Sequence, residues 1–113
     1  MAEIGQGQAG PFAVWARGID LTTYTISLCI KARGKTIIKT GQDLSVSYAD
    51  GVTAIVYYLT QDETLALPQG SAEMQIRYVS ADGLADRTEI KRVEIDRVLQ
   101  GGVLPYTGGY SNA

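Results

Sequence analysis

The chain has 113 residues, no histidine, one cysteine, and ten basic against twelve acidic side chains for a formal charge of -2. An intrachain disulfide is excluded, and the side chain most used for proton transfer at neutral pH and for transition-metal binding is missing. The charges are scattered without a run of one sign, which argues against a nucleic-acid or anionic-membrane surface.

Residues 1–10 contain Gly5, Gly7, Gly10, Gln6 and Gln8 and almost nothing apolar, and they read as a flexible tail. The glycine spacing resembles a phosphate loop but follows no strand and opens no helix. From residue 11 to residue 100 the pattern is that of a single β domain. Pro11 introduces a short strand over Phe12 to Ala16, and proline at a strand start marks it as an edge. Tyr24 to Ala32 alternates, with Tyr24, Ile26, Leu28 and Ile30 on one face and Cys29 on the polar face. Arg33-Gly34 turns the chain into Lys35 to Thr40. Gly41 to Asp43 then leads into Leu44, Val46 and Tyr48 at period two.

Asp50-Gly51 is a tight hairpin signal, since both central residues of such turns take positive φ. Val52 to Leu59 follows with apolar residues on both faces, so it is expected to lie centrally in a sheet or against another subunit. Thr60-Gln61-Asp62-Glu63 fits a capping box and predicts a short helical turn near residues 61–66, stopped by Pro68 and Gly70. Ala72, Met74, Ile76 and Tyr78 alternate with Glu73, Gln75 and Arg77, the clearest strand in the chain. By the same alternation Tyr24, Tyr48 and Tyr78 are expected to point inward. After Ala81-Asp82-Gly83 the last segment, Ala85 to Leu99, changes phase near Lys91-Arg92, which predicts a β-bulge or a change of sheet. Residues 101–113 form a glycine-rich C-terminal tail that carries Tyr106 and Tyr110. About seven or eight mostly antiparallel strands with turns at this spacing predict an all-β, immunoglobulin-like sandwich, a small Greek-key barrel being the alternative.

Little in this chain suits catalysis. Zinc needs ligands that are missing, the aspartates stand beside turns, and Cys29 has no histidine to deprotonate it. No enzyme activity, metal or cofactor is expected. Candidate interaction residues are Phe12, Trp15, Ile55, Tyr57, Leu59, Tyr106 and Tyr110, apolar side chains placed to meet a neighbour. Carbohydrate or cell-surface recognition is the alternative use of such aromatics. No stretch approaches the ~20 apolar residues of a membrane span, and nothing at the N-terminus has the form of a signal peptide.

Several segments resemble a family of small structural proteins in tail modules of phages and prophages of Gram-positive bacteria. They are Pro11-Phe12-Ala13-Val14-Trp15, Gly18-Ile19-Asp20-Leu21-Thr22, Lys39 to Leu44, Leu59 to Leu65, Glu73 to Arg77 and Arg97 to Leu104. The layout is similar to the N-terminal immunoglobulin-like domain of phage baseplate upper proteins, without the helical and distal regions that follow it there. The resemblance implies a virion structural part, made in the bacterial cytoplasm, that self-associates or binds other phage structural proteins, and it carries over no site residue.

Overall fold

In this computed structural model, residues 2–99 and 101–104 are described. The two tight turns come out as hairpins with positive φ at both central residues: 36° and 84° at Arg33 and Gly34, 53° and 77° at Asp50 and Gly51. These are type I′ turns, whose twist matches that of the flanking strands. The first joins β3 (Thr25–Ala32) to β4 (Lys35–Thr40), and the second joins β5 (Leu44–Ala49) to β6 (Val52–Leu59). A 3-10 turn over Gly41–Asp43 carries the chain from β4 to β5.

The other strands are β1 (Ala2–Gly5), β2 (Gly10–Arg17), β7 (Gly70–Val79), β8 (Ala85–Arg87) and β9 (Lys91–Asp96). They form two sheets. One has the order β2-β6-β5, and the other β1-β9-β7-β3-β4 with β8 beside β7. All neighbours are antiparallel except β1, which runs parallel to β9. In the lettering of the immunoglobulin fold these are strands B-E-D facing G-F-C-C′, with the first strand added beside G, so the chain is an immunoglobulin-like β-sandwich. The hallmark disulfide between B and F and the tryptophan on C are replaced by aliphatic packing. Val14 and Ala16 from β2, Ala72, Met74 and Ile76 from β7, and Leu28 and Ile30 from β3 share one buried core.

The N-terminal segment departs from expectation. Residues 2–5 form a strand, and Ile4 is only 1% exposed within the core. Gln6 then ties the segment down, donating from Nε2 to the Leu67 carbonyl (2.8 Å) and accepting at Oε1 from the Val98 N–H (3.2 Å). The Thr64 hydroxyl donates to the Gln8 carbonyl at 2.9 Å. Long-range partners offset the ordering entropy that the local composition could not.

The bulge is present, a few residues earlier than the phase change suggested. Arg77 pairs with Arg87 and Met74 with Lys91, so Gln75 and Ile76 stand opposite Thr88, Glu89 and Ile90, one extra residue on that strand. Thr88 closes the gap. Its hydroxyl accepts from the Ile76 N–H (3.1 Å), and its own N–H donates to the Ile76 carbonyl (2.8 Å). Tyr48 corrects a further expectation. It is in phase with the core face but 44% exposed, at the open end of β5, whereas Tyr24 and Tyr78 meet edge to face at 5.4 Å against the core.

The helical turn is α1 (Gln61–Ala66), with both halves of the capping box formed between Thr60 and Glu63. Glu63 also receives Lys39 Nζ on both carboxylate oxygens, at 2.8 and 3.0 Å, tying α1 to β4. Partial burial raises the Glu63 pKa, but the Lys39 ammonium and the Thr60 amide outweigh it and hold the carboxyl below its ordinary value. A depressed folded pKa stabilises above the unfolded value and loses that contribution as pH falls through the folded one. The melting temperature of the parent should therefore exceed that of Glu63→Gln at neutral pH, and the two curves should converge as pH falls below the ordinary carboxylate range and through the depressed folded value. For a solvent-screened pair the gap is about 1 kcal/mol or less, and a gap that persists at low pH would count against the ion pair.

Candidate assembly surface

A strand period of two gives each sheet an inner and an outer face, and the two outer faces of this sandwich differ in chemistry. On the six-stranded side the outward positions include Lys31, Glu73, Arg77, Arg92 and Glu94, with Lys31 opposite Glu73 and Glu73 opposite Arg92. Charges of alternating sign thus face one another across these strands, and Ile38 on β4, opposite Cys29 and 60% exposed, is an apolar exception.

The outer face of β2-β6-β5 is built otherwise. Register sets Pro11 beside Tyr58, Ala13 beside Val56 and Ser45, Trp15 beside Ala54 and Ser47, and Arg17 beside Val52 and Ala49. Only Arg17, at one corner, is charged. Trp15 and Tyr58 are 52% and 55% exposed, and the residues between them are small or β-branched. Such a face offers flat apolar area and few hydrogen-bonding side chains, namely hydroxyls, the indole and the Arg17 guanidinium at the corner, which suits packing against another protein surface. At ~3.3 Å per residue and ~4.8 Å between strands, three strands of this length cover roughly 350–400 Å².

The predicted interaction residues divide. Trp15 lies on this face. Phe12 is half-buried on the inner side and stacks on Tyr57, ring centroids 5.7 Å apart. Ile55, Tyr57 and Leu59 are core residues no more than 2% exposed, so they offer a partner nothing. Burial pushes the Tyr57 pKa up to about 12. Tyr106 and Tyr110 lie outside the described residues. The outward phase of β6 is Val52, Ala54, Val56 and Tyr58, and it was missed because both phases are apolar.

Where β2 approaches the β8–β9 bulge there is a shallow groove lined by Trp15, Arg17, Tyr78, Thr88, Glu89 and Lys91. Lys91 Nζ closes it from one side by donating to the Trp15 carbonyl at 2.8 Å. Cys29 is half-buried on the charged outer face. Near α1, the Gln61 side chain holds the Leu104 backbone from both sides, accepting from its N–H (2.7 Å) and donating to its carbonyl (3.1 Å). Among the described residues no three acidic or cysteine side chains gather into a metal-holding group, and no helix is long and apolar enough to cross a membrane.

No protein-family model matches the chain, and no curated protein matches it. Among solved structures it is similar to murine CRIg, at 12% identity over 87% of this chain and 93% of that one, with a TM-score of 0.41. It is also similar to the twitchin kinase region of C. elegans, at 15% identity over 86% of this chain and 15% of that one, with a TM-score of 0.35. The fold rests on the strand order itself, and these distant likenesses carry nothing about function.

Proposed function

We propose that the chain is a non-enzymatic assembly module that packs the outer face of β2-β6-β5 against neighbouring protein subunits. The near-absence of charge on that face carries the reading, because Arg17 at one corner is its single charged strand residue, whereas charges of both signs line the opposite face. The more specific reading is a structural component of a phage or prophage tail, made in the bacterial cytoplasm and incorporated into the virion. It is supported by the resemblance over Pro11 to Trp15, Lys39 to Leu44 and Leu59 to Leu65. Gradient sedimentation of tail particles from the phage-producing cell checks it. The chain should travel with the tails, and Val56→Glu, which places a charge mid-face, should leave it at the top of the gradient. A parent chain that stays at the top overturns the proposal.

The groove beside Trp15 favours a second reading, carbohydrate recognition, since an exposed indole flanked by Glu89, Arg17 and Thr88 combines a stacking platform with hydroxyl-binding groups. Glycan-array binding that is lost in Trp15→Ala would select it over assembly.

A further inference from the structure

A sheet edge presents a row of unpaired N–H and C=O groups, and proteins usually blunt it by shortness, charge, proline or a covering element. Most edges of this sandwich are blunted. β1 has four residues, and β8 has three, including Asp86 and Arg87. β2 carries Pro11, which has no N–H to offer, and its Trp15 carbonyl is taken by Lys91. β4 carries Lys35 and Lys39, the second tied to Glu63 of α1. β5 has none of these devices: its six residues, Leu44–Ala49, include no charge and no proline, and it pairs with β6 alone.

The direction of its free groups follows from the hairpin. Ala49 and Val52 flank a two-residue type I′ turn and exchange both hydrogen bonds, so Ser47 and Ser45 bond toward β6 as well. The alternate residues turn away. The Val46 and Tyr48 N–H groups and the Leu44, Val46 and Tyr48 carbonyls point off the open edge, while the Leu44 N–H is taken by the Gly41 carbonyl.

We infer that β5 is the seam on which a second copy of this chain docks, its own β5 running antiparallel about a two-fold axis at Val46. The inference deepens the assembly reading and rests on it. With the axis at Val46, core-facing residues of one copy stay opposite core-facing residues of the other. Leu44 then lies against Tyr48 of the second copy, covering the exposed ring with an aliphatic partner. The pairing makes one six-stranded sheet and doubles the sparsely charged outer face to roughly 700–800 Å², close to the ~800 Å² per partner of a stable interface that one copy's face does not reach. Asp43 and Asp50 stand at the two ends of the seam, so their mutual repulsion weakens the pairing at low ionic strength and added salt tightens it.

The test is sedimentation velocity on the full chain from ~1 μM to ~1 mM, in low and high salt. The parent should dimerise, more tightly in high salt. Tyr48→Pro removes a donor aimed off the edge and leaves the β5–β6 ladder whole, and Ser47→Lys places a lysine beside the axis with the backbone intact. Each should weaken dimerisation at least about tenfold while keeping the parent's circular dichroism and melting temperature. If Tyr48→Pro melts early, Ser47→Lys decides. A chain that is monomeric throughout, or variants that dimerise like the parent, overturns the seam. A monomer that still travels with tail particles removes the seam and leaves the assembly reading standing. A dimer absent from the tails retains the seam and overturns the assignment to tails.

Discussion

Replacing Thr53 with valine should cost about 2–4 kcal/mol of folding free energy, since it leaves the buried Leu21 N–H and the partly buried Ile19 carbonyl without their partner, at ~1–3 kcal/mol each. Thr53 is fully buried on β6. Its hydroxyl donates to the Ile19 carbonyl and accepts from the Leu21 N–H at 3.0 Å. Those two bonds fix the connection from β2 to β3, a segment of no regular structure whose Leu21 is itself fully buried. Backbone crossing between the two sheets has no ladder to satisfy it, and one side chain supplies what the ladder would. Valine matches threonine in shape, so packing is kept and only the hydrogen bonds go. Thr53→Ser does the converse, keeping the hydroxyl and losing a methyl, and should cost about 1 kcal/mol. Urea unfolding of the three proteins checks the order, as a midpoint falling from parent to serine to valine with the m-value unchanged. A valine variant as stable as the parent would mean that Ile19 and Leu21 find other partners.

Side-chain alternation shows why some of this was readable and some not. Tyr24 to Ala32 and Ala72 to Ser80 have one apolar and one polar phase, so their buried faces follow from order alone, and β3 and β7 are indeed adjacent central strands. The type I′ turns and the capping box were equally legible, because each is decided by residues within four positions of one another. Val52 to Leu59 differs. Thr53, Ile55, Tyr57 and Leu59 face the core only because Val46 on β5 and Val14 on β2 stand opposite Ile55, and that register is a long-range fact. Choosing the wrong phase put Ile55, Tyr57 and Leu59 on the interaction surface in place of Val52, Ala54, Val56 and Tyr58. The bulge was legible in kind but shifted in place, since Ile90, apolar yet 57% exposed, belongs to the bulged loop and not to the core phase of β9. The undefended edge of β5 could not be read at all until the sheet order showed which strands lack a second neighbour.

The N-terminal segment gives the other large effect. Ile4→Ala should destabilise the fold by about 2–5 kcal/mol, the range for truncating a buried isoleucine, where a flexible tail would give nothing. Ile4 lies on a strand that pairs Ala2 with Val93 and Ile4 with Ile95, so its side chain enters the core beside two residues that are themselves fully buried. A single apolar residue among glycines and glutamines carries little local signal, yet burying it together with the two Gln6 bonds is enough to hold four residues in the sheet. Gln6→Ala removes the partners of the Leu67 carbonyl and the Val98 N–H. It should cost less, about 1–2 kcal/mol, because both groups lie near enough to the surface for water to replace part of the loss. Hydrogen exchange separates a strand from a tail directly. The Ile4 and Gln6 amides, which face β9, should exchange far more slowly than those of an unstructured peptide in the parent, and Ile4→Ala should accelerate both along with the β9 amides they border. Free exchange at these positions in the parent, or an Ile4→Ala variant with unchanged stability, would return residues 2–5 to the status of a tail and leave β9 as the edge of its sheet.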